Sequence, residues 1–148
     1  MIKKFILISL SVALFFVSTS AQASPSYERP LKATKTECKT FVKKIMPTFQ
    51  KALGAPGMTD SNQAKIHSDN FLALSKLFAK YRSKTKGQLR SLYKDATIQS
   101  REISDIYFGA HLQNYVGNKT EAGLKIISII PVLQELTFTT EDILAECP

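Results

Sequence analysis

The chain has 148 residues, with 20 Lys and Arg against 12 Asp and Glu, a formal net charge of +8. That length holds about one domain. Its two histidines leave no material for a His-rich metal site, and its two cysteines contain no C-x-x-C pair of the redox or haem-attachment kind.

The first predicted element is a cleavable secretory signal peptide over residues 1–23. Lys3 and Lys4 supply the positive start, residues 5–17 form an uncharged apolar run, and Ala21-Gln22-Ala23 offers the small-x-small pattern of a cleavage site. The run falls short of the roughly 20 residues that span a bilayer core, so cleavage is expected over retention as an anchor. No cysteine stands directly after it to carry a lipid. The short Lys-Lys start has a bacterial character, which places the mature protein in the periplasm or beyond. Cleavage before Ser24 leaves 18 cations and 12 acids, a net +6. Cys38 and Cys147 then lie near the two ends of the mature chain, and an oxidising compartment favours a disulfide between them.

Residues 24–35 contain Pro25 and Pro30 and little apolar material, so they read as an extended lead-in to a helical domain over 36–148. Cys38, Phe41, Val42, Ile45, Phe49 and Leu53 recur at steps of three and four, one buried helix face. Pro47 inside this pattern predicts a kink or a split, and Gly54, Pro56 and Gly57 end it. A second helix is predicted over 60–81, with Asp60 and Gln63 in N-cap and N3 relation and a stripe of Ala64, His67, Phe71, Leu74, Phe78 and Tyr81. A turn near 83–87 leads to a third helix with Thr85 and Gln88 as its capping pair. That helix shows Leu89, Leu92, Ala96, Gln99, Ile103, Ile106 and Ala110 on one face, flanked by Tyr93 and Tyr107.

Gly117 interrupts the pattern, and Asn118 with Glu121 caps a fourth helix. Its segment 124–136 is apolar on nearly all sides, which places it centrally or against a partner. Pro131 predicts a bend there. Thr139 and Asp142 are expected to cap a short last helix, stapled by Phe138 and Ile143 and ending at Cys147. No segment alternates with period two. The expected fold is all-α: a compact bundle of four to five helices, the first and fourth kinked by proline, with one disulfide tying the ends.

Motifs for chemistry are missing. The sequence holds no G-x-S-x-G, no Gly-rich phosphate loop, no H-E-x-x-H and no EF-hand loop, so no catalytic residue, metal or cofactor is assigned. His67 lies in an apolar stripe; folding the third helix back from a turn near Lys84 brings Gln99 or Glu102 opposite it. His67, Gln99 and Glu102 are therefore read as a polar layer within the core that fixes helix register. His111, near the end of the third helix, reads as structural. Glu102 and Asp105 share a helix side, but nothing in the sequence buries them or separates their pKa values as a catalytic pair requires. His67-Ser68-Asp69 contains triad residue types, yet three consecutive helical positions point apart. Asn118-Lys119-Thr120 matches a glycosylation sequon, and its capping role explains it without a glycan.

Charge is distributed unevenly. Residues 24–94 carry 15 cations against four acids, and residues 95–148 carry three against eight. Lys76, Lys80, Arg82, Lys84, Lys86, Arg90 and Lys94 follow one another with no acid between them, which predicts a basic tip where the second and third helices meet. Lys35, Lys39 and Lys43 form a similar ridge on the first helix. Solubility alone accounts for such a face as well as a partner does. The functional reading is an anionic partner: phospholipid headgroups, a surface polymer or an acidic protein. Nucleic acid would suit the electrostatics, but export argues against it. Tyr81 and Tyr93 flank the tip. The leading expectation is a non-enzymatic, exported, periplasmic accessory protein of the cell envelope. It would dock through the basic tip on an envelope assembly, such as a secretion apparatus, or on the inner-membrane surface. An exported inhibitor or immunity protein that neutralises a toxin or hydrolase is the alternative, and an enzyme with a dispersed site comes third.

Overall fold

The first described helix starts at a capping box outside the predicted pattern. Thr34 Oγ1 accepts from the amide of Glu37, and the Glu37 carboxylate accepts from the amide of Thr34 at 2.8 Å, so two donors with no intrahelical acceptor are satisfied. The computed structural model describes residues 33–54 and 61–147. The expected signal peptide, all but the end of the lead-in, the Asp60 cap and the Pro56–Gly57 stop lie outside the described residues.

Helix α1 is a continuous run of three segments: Lys35–Thr40, a π-helical turn at Phe41–Ile45, and Met46–Leu53. The amide of Met46 reaches back five residues to the Phe41 carbonyl. Pro47 has no amide to give the Lys43 carbonyl, and its ring crowds that oxygen. The widened turn just ahead of it absorbs the misfit. This rotates the buried stripe to Phe41, Ile45, Phe49 and Ala52, and leaves Val42 and Leu53 exposed where the plain helical pattern had them inside.

Helix α2 spans Ser61–Arg82 and α3 spans Gly87–Tyr115, two long antiparallel arms with the most extensive contact in the fold. Gly87 sits at φ 57°, a left-handed conformation that suits glycine where the chain turns into α3. Thr85 does not cap α3; its hydroxyl donates to the Arg82 carbonyl and closes the end of α2 instead. The residue in the N-cap position of α3 is Lys86, which makes no capping bond.

Helix α4 is Lys119–Ile127 and α5 is Ile129–Ala145, both packed against α3. Asn118 caps α4 as expected, accepting from the Glu121 amide at 3.3 Å. The bend falls at Ser128, and Pro131 occupies the third position of α5, where a first-turn amide has no intrahelical acceptor to lose. The expected restart at Thr139 does not occur. Thr137, Thr139 and Thr140 turn their hydroxyls onto the carbonyls of Leu133, Glu135 and Thr137, so the helix runs through them. Phe138 is exposed while Ile143 is buried, so they form no staple.

The core joins α1, α2, α3 and α5. The Tyr93 ring meets the rings of Phe41 and Phe78 edge-on, at 6.2 and 5.8 Å, linking α1, α2 and α3. Cys38 and Cys147 form the disulfide, their Cα atoms 5.6 Å apart. Beside it the Ala33 amide donates to the Glu146 carbonyl at 3.0 Å, so the start of α1 and the end of α5 are held together. Among the described residues the fold is all-α and tied at its ends; the expected proline kinks are replaced by a π turn at Phe41–Ile45 ahead of Pro47 and a helix break at Ser128 ahead of Pro131.

Candidate functional site

The α2–α3 hairpin is locked in register by three polar rungs. Ser75 Oγ donates to the Thr97 carbonyl at 2.9 Å, and Ser104 Oγ donates to the Ser68 carbonyl at 2.9 Å with the two hydroxyls 3.2 Å apart. Ser61 meets His111 at the far end. Positions 61, 68 and 75 on one arm, and 97, 104 and 111 on the other, are each seven apart, so the fold-back centres on residue 86. The sequence reading centred it near Lys84, about one helical turn out of register across the pair.

That shift explains the fate of the expected polar layer. His67 is buried and stacks on Tyr107, ring centroids 4.7 Å apart and planes within 14°. Phe71 stacks on the same Tyr107. Gln99 is half-buried, and its side-chain oxygen has no hydrogen-bond partner among the described residues. Glu102 is exposed. The structure does not bring the three together. The serine rungs hold the register instead, and their signal was the seven-residue spacing of Ser61, Ser68 and Ser75 beside the apolar stripe.

At the closed end of the hairpin lie the seven cations. Lys76, Lys80, Lys84, Lys86, Arg90 and Lys94 are exposed and Arg82 is half-buried. The ion pairs among the described residues are Lys65–Asp69, Arg101–Asp105 and Lys125–Glu121, so none of the seven has an acidic partner there. The ammonium groups of Lys80 and Lys84 lie 5.8 and 5.7 Å from the Tyr81 ring centroid, within reach of a cation–π contact. Tyr81, Lys84 and Thr85 share a cleft of about 400 Å³ with Thr34, Glu37 and Tyr93, so the polypeptide enters the described fold beside the tip. A second cleft, of about 470 Å³, runs between α1 and α2. It is lined by Lys51, Lys76 and Lys80 with Thr48 and Asn70, and no acid of the described residues lines it. Burial, with the Glu37 carboxylate and Tyr81 adding to it, pushes the Tyr93 phenol well above its ordinary value. Tyr93 therefore stays neutral and serves as a packing anchor beneath the tip.

The remaining titratable groups of the described residues are accounted for by structural contacts or solvent exposure. Asp105 is paired with Arg101, and with Glu102 and Lys125 it lines a wide, open depression of about 770 Å³ along α3. Ser61 and His111 place a hydroxyl 2.7 Å from an imidazole nitrogen, the separation of a nucleophile and its base. The same Nδ1 lies 2.8 Å from the Ser61 carbonyl, which can only accept, so Nδ1 carries the hydrogen. The hydroxyl proton points at the His111 carbonyl, 3.2 Å away. With its proton in place Nδ1 cannot act as a base, and the pair ties the start of α2 to the end of α3. No group of three His, Cys, Asp or Glu side chains among the described residues is placed to hold a metal.

No family model, no curated protein and no solved structure matches the chain.

Proposed function

We propose that this protein is an exported, non-enzymatic binding module that docks reversibly through its basic tip on an anionic surface of the cell envelope. That surface is the acidic face of an envelope assembly, such as a secretion apparatus, or the phospholipid headgroups of the inner membrane. The observation that carries the reading is the cluster of seven cations without an acidic partner among the described residues, two of them beside the Tyr81 ring, at the closed end of the α2–α3 hairpin. The start of α3 adds to it. Among the described residues no side chain caps that terminus and no acid stands in its first turn, so the positive end of the helix dipole lies beside Lys86 and Arg90.

Magnitude sets the mode of docking. A cation close to an anionic leaflet is worth about 1 kcal/mol. Four engaged cations alone then give a dissociation constant near the millimolar range, screened over a Debye length of about 8 Å at physiological salt. Docking of this kind is weak, fast and salt-sensitive.

The test reverses Lys80, Lys84, Lys86 and Arg90 to Glu in the full chain. Crosslinked capture from the native compartment and co-sedimentation with vesicles of anionic phospholipid are then compared with the unaltered protein. Loss of both the envelope partner and vesicle binding, at unchanged helical content, supports the proposal. Unchanged capture and unchanged sedimentation return the patch to a solvation role.

A further inference from the structure

The cleft between α1 and α2 has a make-up that a merely solvated face does not require. Thr48 and Lys51 stand three residues apart on α1, while Asn70, Ala73, Leu77 and Lys80 follow at steps of three, four and three on α2. One face of each helix therefore borders the cleft, and Lys76 stands beside the α2 row. Lys51, Lys76 and Lys80 are exposed and form its rim, whereas Thr48, Asn70 and Leu77 are half-buried beneath them.

Three ammonium groups from two helices thus share one concavity of about 470 Å³, within the range that holds a small ligand. None of the three has an ion pair among the described residues, and Asp69, next to Asn70 in sequence, is engaged by Lys65 at 2.9 Å. Like charges gathered in this way repel, and an anion between them removes the repulsion. Three positive charges suit the dianion of a phosphomonoester, whose second pKa is about 6. A sulfate ester or a phosphodiester offers one charge only. The half-buried groups add a second requirement. Thr48 Oγ1 donates to the Lys44 carbonyl at 3.3 Å, which leaves its lone pairs to accept. The Asn70 amide makes no side-chain hydrogen bond among the described residues, and it can both donate and accept. Ala73 and Leu77 supply an apolar wall beside them. An acceptor, a two-way amide and an apolar wall match the hydroxyls and the C–H face of a sugar ring.

We propose that the α1–α2 cleft binds a phosphorylated sugar, with Lys51, Lys76 and Lys80 on the phosphomonoester and Thr48 and Asn70 on the ring hydroxyls. This deepens the docking reading and rests on it for the anionic character of the ligand. Lys80, also 5.8 Å from the Tyr81 ring centroid, joins the cleft to the tip. Lys51 lies outside the cluster of seven cations, and Lys84, Lys86 and Arg90 do not line the cleft, so the two can be altered separately.

The test titrates the full chain with glucose 6-phosphate, glucose 6-sulfate and inorganic phosphate. Calorimetry reads the affinity, and the side-chain amide signals of Asn70 in NMR read the place. Glucose 6-phosphate is expected to bind most tightly of the three and to shift the Asn70 amide. Lys51→Ala should weaken it about 5- to 15-fold, the low end for a charge-assisted hydrogen bond because the site is open to solvent. Asn70→Leu should weaken glucose 6-phosphate and leave inorganic phosphate unchanged, which separates sugar recognition from bare charge. Reversing Lys84, Lys86 and Arg90 to Glu should abolish envelope docking and leave this binding in place. Lys51→Ala should do the opposite, so loss of one reading is distinguishable from loss of the other. No saturable binding of glucose 6-phosphate in the millimolar range overturns the inference. Equal binding of the phosphate and the sulfate, or insensitivity to Lys51→Ala, overturns it too. So does binding to phosphatidic acid vesicles that depends on Lys51 while glucose 6-phosphate fails to bind, which would assign the cleft to a lipid headgroup.

Discussion

Removing the disulfide is the sharpest test of what holds this fold together. Cys38 and Cys147 are 109 residues apart in sequence. Closing a loop of that length lowers the entropy of the unfolded chain enough to stabilise the fold by about 4 to 5 kcal/mol at 25 °C. Domains of this size are stable by about 5–15 kcal/mol in all, so the loss is a large share of the total. At about 2.1 cal/mol/K per residue it corresponds to a fall in Tm of about 15 to 20 °C. The variant Cys38→Ala with Cys147→Ala is compared with the oxidised protein by urea unfolding followed by far-UV circular dichroism. The midpoint should fall and the m-value should rise, because the uncrosslinked unfolded chain exposes more surface. Both cysteines are half-buried, so their substitution also removes packing. The reduced, unaltered protein isolates the crosslink from that second effect. A loss below about 1.5 kcal/mol with an unchanged m-value would refute the entropic reasoning.

Three further outcomes follow from particular side chains. The Tyr93 phenol is raised in the folded state, chiefly by burial, so its contribution to stability is complete below the unfolded value near 10 and is lost as pH rises beyond it. The urea midpoint should be flat to about pH 9 and then fall, with Tyr93 contributing up to about 1.4 kcal/mol per pH unit. Tyr93→Phe should make that fall shallower, and Tyr107, raised by burial in the same direction, should retain part of it. Ser100 is fully buried and its hydroxyl has no hydrogen-bond partner among the described residues. Ser100→Ala should therefore leave thermal stability unchanged or raise it by about 1 kcal/mol, and a loss of that size would reveal a partner for the hydroxyl. Thr34→Ala removes the capping box of α1 and should cost about 1 kcal/mol in chemical denaturation, with Thr34→Ser close to neutral.

Where two helices pack along their whole length, the pattern was legible. Ala64, His67, Phe71, Leu74 and Phe78 are buried as their spacing predicted, because the 3.6-residue period runs undisturbed through α2. In α1 the proline was visible but its consequence was not. A kink and a π turn both answer a missing amide, and only the π turn rotates Val42 outward. Thr139 misled for a similar reason. A threonine hydroxyl caps a helix or bonds back into one with equal local sense, and the continuous apolar stripe from Ile129 to Ile143 decides in favour of the second. The basic tip could be read because it needs only charge and the position of one turn. That none of its cations forms an ion pair among the described residues is tertiary information, which no local pattern contains.

The energetics of the tip can be tested without any partner. Lys76 and Lys80 on α2, and Lys86 at the N-cap of α3 with Arg90 and Lys94 within it, repeat like charge every four residues, at about 0.2–0.5 kcal/mol per pair. Lys86 also stands at the positive end of the α3 dipole, which adds about 0.3–1 kcal/mol of the same sign. Lys80 and Arg82 lie in the last turn of α2, where cations are favoured and offset part of this. The balance is a destabilisation of about 1 kcal/mol, well within what the disulfide and capping box at the same end supply. Repulsion of this kind is screened by salt. Raising sodium chloride from about 10 mM to 0.5 M should therefore raise the urea midpoint by an amount equivalent to about 1 kcal/mol. Reversing Lys80, Lys84, Lys86 and Arg90 to Glu should abolish or invert that response. If the unaltered protein is instead insensitive to salt, the seven cations are not a repulsive cluster, and the electrostatic basis for docking on an anionic surface falls with them.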